Sequence, residues 1–106
     1  MPAIAVIALE GSLVDAGDKF SAFNDIDIKH DAMNDLTTVP RLGDGAKTSL
    51  EAAGIKTVKQ LIGMFLVKET KDAFEEWLVG CGVQKASNNS GGIAIAINNW
   101  CGSNGY

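Results

Sequence analysis

From Asp31 onward, apolar residues recur three and four positions apart in short runs, and each run is closed by a proline, a glycine or a polar cap. "DAMNDLTT" supplies about two helical turns; Pro40 then bars continuation and holds the residue before it extended. Gly45 to Ala53 reads as a helix with Leu50 inward, and Gly54 supplies the left-handed stop. Thr57 is placed to cap "VKQLIGMFLV", whose Val58, Leu61, Ile62, Phe65 and Leu66 fall on one face. Asp72 followed by Glu75 has the spacing of a capping box for "AFEEWLVG". That helix puts Phe74, Trp77 and Leu78 on one side and ends at Gly80 or Gly82.

The two ends of the chain admit more than one pattern. Residues 1 to 28 combine a β-favouring start, "IAVIAL", with a Gly/Asp/Ser-containing run. They are compatible with a strand and turn, with a short helix over "LVDAGDKFSAF", or with an extended arm lying on a partner. In "GGIAIAINNWC", Ile93, Ile95 and Ile97 alternate as in a strand, while Ile93, Ile97 and Trp100 keep helical spacing. The alanines and the cap-like lead "SNNS" favour a helix.

At 106 residues the chain suits one compact core. The change in composition divides it into an N-terminal extension, 1–28, and a helical domain, 29–106. The expected fold class is all-α. Cys81 and Cys101 have neither the density of a disulfide scaffold nor a CxxC pairing, so both read as reduced and at least partly buried.

No cofactor, metal or catalytic constellation is expected, and the chain is not expected to be an enzyme. Asp15, Asp18, Asp25 and Asp27 lack the order of a calcium loop and its terminal glutamate. His30, the lone histidine, has no nucleophile in a supporting motif and reads as a surface or capping residue. Trp77 and Trp100, spaced with Phe74 and Ile97, read as core aromatics and not as a platform for stacking bases. No apolar run approaches the roughly 20 residues that span a bilayer, so no membrane insertion is expected.

Charge singles out one stretch. Residues 1–38 carry seven acids and two lysines, net −5, whereas residues 39–59 carry Arg41, Lys47, Lys56 and Lys59 against Asp44 and Glu51, net +2. The cationic stretch contains "VPRLGDGAKTSLEAAGI", a glycine-bearing hairpin leading into a helix that ends in Gly-hydrophobic, the pattern of a helix-hairpin-helix. Such a hairpin turns the unpaired N–H groups of a helix start toward a phosphate, where the helix dipole also favours an anion. A plain connector between helices uses the same residues for geometry alone.

The ordered run "LTTVPRLG", "LEAAGI", "LIGMFLV", "FEEWL" and "NNWC", over about residues 29 to 101, resembles the barrier-to-autointegration-factor family, chromatin proteins that bind double-stranded DNA without sequence preference. The resemblance implies a SAM-domain-like bundle of about five short helices, a homodimer that bridges two duplexes, and a groove for LEM-domain proteins. It implies a nuclear or cytoplasmic location; an organelle reached after removal of a targeting peptide is the alternative the sequence leaves open. Carried over by position, the DNA contacts are Arg41, Leu42 and Gly43, with Lys47 on the next helix and Lys29 as a second contact. Arg41 stands where the family has the first hairpin glycine. Asn88 and Gly91 stand where it has basic residues, leaving Asn88, Asn89 and Ser90 as uncharged phosphate partners. The dimer helix corresponds to Gly63, Met64, Phe65, Leu66 and Val67. The missing basic positions and the acidic N-terminal arm also fit an adaptor that keeps the fold, binds no DNA and docks a protein partner through residues 1–28.

Overall fold

The computed structural model describes residues 19–106. Residues 19–24 are helical and two 3-10 turns follow, Asp31–Asn34 and Leu36–Thr38. Four α-helices complete the described chain: α1 (Asp44–Ala52), α2 (Val58–Lys68), α3 (Lys71–Gly80) and α4 (Ser90–Ser103). No strand occurs among the described residues, in keeping with the all-α expectation, and the C-terminal run is helical. No helix among them is long and apolar enough to cross a membrane.

Local chemistry accounts for the boundaries. Gly54, at φ +92°, ends α1, and Ile55 N–H then donates to the Leu50 carbonyl at 2.9 Å. Thr57 Oγ1 accepts from Gln60 N–H at 3.2 Å while Gln60 Oε1 accepts from Thr57 N–H at 3.3 Å, a reciprocal capping box at the start of α2.

Two expectations need correction. The cap of α3 is Thr70, whose Oγ1 accepts from Ala73 N–H at 3.1 Å; Asp72 lies inside the first turn, and the Glu75 carboxylate instead accepts a bond from Ser90. "DAMNDLTT" does not form a continuous helix. Asp35 stands extended between the two 3-10 turns because its carboxylate accepts from both the N–H and the hydroxyl of Thr37, local bonds that compete with an α-helical ladder.

The core is centred on α4, which buries Ile93, Ala94, Ala96, Ile97, Trp100 and Cys101. A helix apolar on most of its circumference belongs in the middle of a domain, and α4 packs most extensively against α3. Phe74 joins the aromatic wall, edge-on to Phe65 (83°) and stacked on Trp77 (22°). Both thiols are free; burial raises the Cys81 pKa and pushes that of Cys101 up to about 11, so each is protonated at neutral pH.

Residues 19–28, part of the extension on sequence grounds, are tied to this core. Phe23 is buried with its ring centroid 6.5 Å from that of Trp100. Trp100 Nε1 donates to the Ile26 carbonyl at 2.9 Å, and Asn104 Nδ2 donates to the Asn24 carbonyl at 3.0 Å. The rest of the acidic arm, residues 1–18, lies outside the described residues.

Trp100→Phe removes the donor to Ile26 and leaves a void beside Phe23. The expected loss is about 2–4 kcal/mol, combining an unpaired carbonyl with a small cavity. Urea unfolding followed by circular dichroism measures it, and a loss below about 0.5 kcal/mol would show that this bond does not hold residues 19–28 to the core.

Candidate functional site

The hairpin is a β-turn closed by Leu42 N–H donating to the Val39 carbonyl at 3.1 Å. Pro40 occupies its second position and Arg41 its third, at φ +73°, the arrangement of a type II turn. That third position ordinarily takes glycine, because a side chain in the left-handed region costs roughly 1–2 kcal/mol. Val39, Pro40 and Leu42 are all buried, so the turn is pinned into the core on both sides and Arg41 stands exposed at its apex.

The chain then enters α1 through Gly43, which is extended (φ −92°, ψ −172°) and offers no side-chain cap. The first backbone bond of the helix is Lys47 N–H to the Gly43 carbonyl at 2.9 Å. Among the described residues nothing accepts from the N–H groups of Gly43, Asp44, Gly45 and Ala46. A Cβ added at Gly43 or Gly45 meets no atom within 4 Å, so the approach to these amides is open. The start of α4 differs: Ser90 N–H donates to the Gln84 carbonyl at 3.2 Å and Gly91 N–H to the Ala86 carbonyl at 2.9 Å. Of these two helix starts, α1 has its donors free for an anion.

A cleft of about 700 Å³ runs beside the hairpin and brings together Arg41, Leu42, Gly43 and Asn88 from the sequence-derived set. Leu42 contributes shape only, since its side chain is buried and its amide is taken by Val39. Asn89 lies on the other side of Gly43, lining a smaller recess with Gly45, and its Nδ2 donates to Gln84 Oε1 at 3.2 Å. Ser90 leaves the set. It is 0% exposed, and its hydroxyl donates to Glu75 Oε2 at 3.0 Å.

Lys29 is exposed but is not part of the cleft wall; its backbone N–H donates to Asp27 Oδ1 at 2.7 Å. His30 acts as a cap, with Nδ1 accepting from Ala32 N–H at 3.0 Å. Lys19, Thr37 and Thr38 also line the cleft, and no motif in the sequence marks them. Reading residues 1–28 as a separate extension conceals Lys19. The available signal was Phe20, Phe23 and Ile26 at helical spacing beside it.

On α2 the residues assigned to a dimer helix separate into two groups. Gly63 and Val67 face solvent with Leu66, Val67 being 72% exposed, and Met64 is half-buried. Phe65 is 7% exposed and edge-on to Phe74, inside its own protomer's core.

Acidic groups temper the positive charge. Asp44 occupies the first turn of α1, and Asp35 lies close enough to Lys47 for the lysine to help lower its pKa. The larger causes are the two bonds from Thr37, through its hydroxyl and its N–H.

The family model described as barrier to autointegration factor matches residues 19–104. No curated protein and no solved structure matches the chain.

The lowered pKa of Asp35 sets a direction for acid sensitivity. A carboxylate whose pKa is lower in the folded than in the unfolded chain stabilises the fold above its unfolded pKa, and that contribution is lost as pH falls through the folded value. Asp35→Asn is expected to lower the melting temperature at pH 7 and to weaken the decline in stability below about pH 4. Thermal melts of both proteins across this range check it; identical acid limbs would remove Asp35 from the account.

Proposed function

The chain belongs to the barrier-to-autointegration-factor family, and on that premise we propose that it binds double-stranded DNA without sequence preference, as a homodimer able to bridge two duplexes. The observation that carries the proposal is the start of α1: four backbone donors without acceptors among the described residues, beneath two glycines that internal packing does not require. A helical glycine costs about 1 kcal/mol relative to alanine, and neither turn geometry nor internal crowding at Gly45 offsets that cost. Close approach of a phosphate supplies a reason for both glycines. Arg41 and Lys19, on the wall of the same cleft, add the charge that backbone amides lack.

Backbone amides read phosphate and not base edges, so this mode of contact carries no sequence information. Asp44 favours the helix through its dipole and opposes a phosphate placed over the same turn. Few cations and one opposing acid together mean modest affinity per site, with Arg41 and Lys19 governing its salt dependence. For the dimer, the support is the exposed apolar strip of Gly63, Leu66 and Val67 on α2. A Cβ added at Gly63 meets nothing within 4 Å, so packing within the protomer leaves that glycine unexplained.

Electrophoretic retardation of duplexes of unrelated sequence, at about 50 and 200 mM salt, tests the DNA reading. All duplexes are expected to shift alike at low salt, and much less at high salt. Gly43→Glu is expected to abolish the shift with an unchanged melting temperature, because the new side chain enters open space over the amides. No retardation at low salt overturns the proposal and leaves the adaptor reading.

Sedimentation equilibrium tests the dimer separately. Val67→Glu is expected to give a monomer that still binds one duplex but no longer bridges two. A monomeric wild type would refute bridging by a two-site dimer.

A further inference from the structure

We infer that Gly92 is a positioning residue for Arg41, holding its charged side chain at the hairpin cleft; as a statement about DNA affinity, this rests on the function proposed above. Arg41 is a long cation in a left-handed turn position, and it forms no ion pair among the described residues. Its location is therefore decided by what its stem packs against.

That neighbour is α4. A Cβ built on Gly92 falls 2.5 Å from Arg41 Cγ, 3.0 Å from Arg41 Cβ and 3.1 Å from the Ser87 carbonyl oxygen. The aliphatic stem of Arg41 thus occupies the space in which any side chain at position 92 would begin. Gly92 is buried in the first turn of α4, and here the missing side chain has a definite occupant.

The two contacts with Arg41 differ in kind. Cγ can swing away by rotation about χ1, at the cost of moving the guanidinium. Cβ is fixed by the backbone at φ +73° and moves only if the hairpin moves. A methyl group at position 92 must therefore redirect the side chain or push the hairpin away from α4, and either displaces the positive charge from the cleft containing Gly43 and Asn88. Arg41 and Gly92 form a matched pair: the residue with an unusual backbone conformation is accommodated by the one without a side chain.

Four proteins test the pair: wild type, Arg41→Gly, Gly92→Ala and the double variant. Gly92→Ala alone is expected to lower the melting temperature by about 5–15 °C, the effect of an overpacked contact in a domain of this size. In the Arg41→Gly background the loss is expected to fall to less than half, because only the contact with the Ser87 carbonyl remains. If Gly92→Ala alone does not fold, recovery of folding in the double variant supports the pairing, and failure of both overturns it. Additive melting temperatures also overturn it.

A purely structural role would leave the salt slope of DNA binding unchanged. The slope is expected to fall by about one unit in Arg41→Gly and in Gly92→Ala, and no further in the double variant. Coupled melting temperatures with an unaltered slope in Gly92→Ala would reduce Gly92 to a packing role and refute positioning. Wild-type protein that does not retard DNA refutes the DNA reading alone, and the melting temperatures then still decide whether Gly92 seats Arg41.

Discussion

The hydrogen bond from Leu42 N–H to the Val39 carbonyl is the constraint on which the candidate site depends. By closing a turn of four residues it sends Val39 and Leu42 into the same core, and it leaves the residue between Pro40 and Leu42 with a left-handed backbone and nowhere to go but outward. The entry into α1 follows from it. Once Leu42 is anchored, Gly43 is held extended at the start of the helix, and the first-turn amides have no acceptor among the described residues. A polar side chain at position 43 would have satisfied one of them. Glycine leaves them bare.

The rest of the bundle serves to keep that turn in place. Helix α4 runs through the centre, and its first turn lies directly behind the hairpin, where Gly92 meets the stem of Arg41. Its last turn and the residue that caps it hold the N-terminal segment through the Trp100 bond to Ile26 and the Asn104 bond to Asn24. One wall of the cleft, with Lys19, Phe23 and Ile26, is therefore fastened to one end of α4, and the hairpin wall rests on the other. Local caps on α2 and α3 set helix lengths, and tertiary packing sets the cleft.

What was legible in the sequence follows the range of the forces involved. The Thr57 cap and the Gly54 stop rest on neighbours within a few residues, and the chain displays them openly; the run that forms α4 alternates as well as it repeats at helical spacing, and Leu66, grouped with the inward residues of α2, is exposed. The Asp72–Glu75 pair had the right spacing for a cap and the wrong role, because Ser90, fifteen positions away, draws Glu75 elsewhere. Ser90 itself looked like a surface phosphate partner for the same reason: its burial depends on a helix distant in sequence. Phe65 and Val67 share one apolar run, and the run alone does not say that one faces Phe74 while the other faces solvent. The substitution of arginine for a hairpin glycine was visible at once, but its accommodation at Gly92 depends on two segments half the chain apart.

The acidic character of the chain bears on how such a site could still be useful. At a formal charge of −4 the protein as a whole is repelled by a polyanion, so long-range steering does not favour the encounter. Contact with DNA would have to come from short-range donors, and a helix start with four open amides acts at that range. On the proposed symmetric dimer two such sites would change the balance, because the second contact would be made at an effective concentration set by the geometry of the dimer and not by free diffusion. Weak individual sites then suffice to hold two stretches of duplex together while each contact remains easy to release. In this proposed arrangement the scarcity of basic residues would limit the lifetime of a single contact without forbidding the bridge, and the exposed strip on α2 would matter as much to the proposed function as the amides of α1.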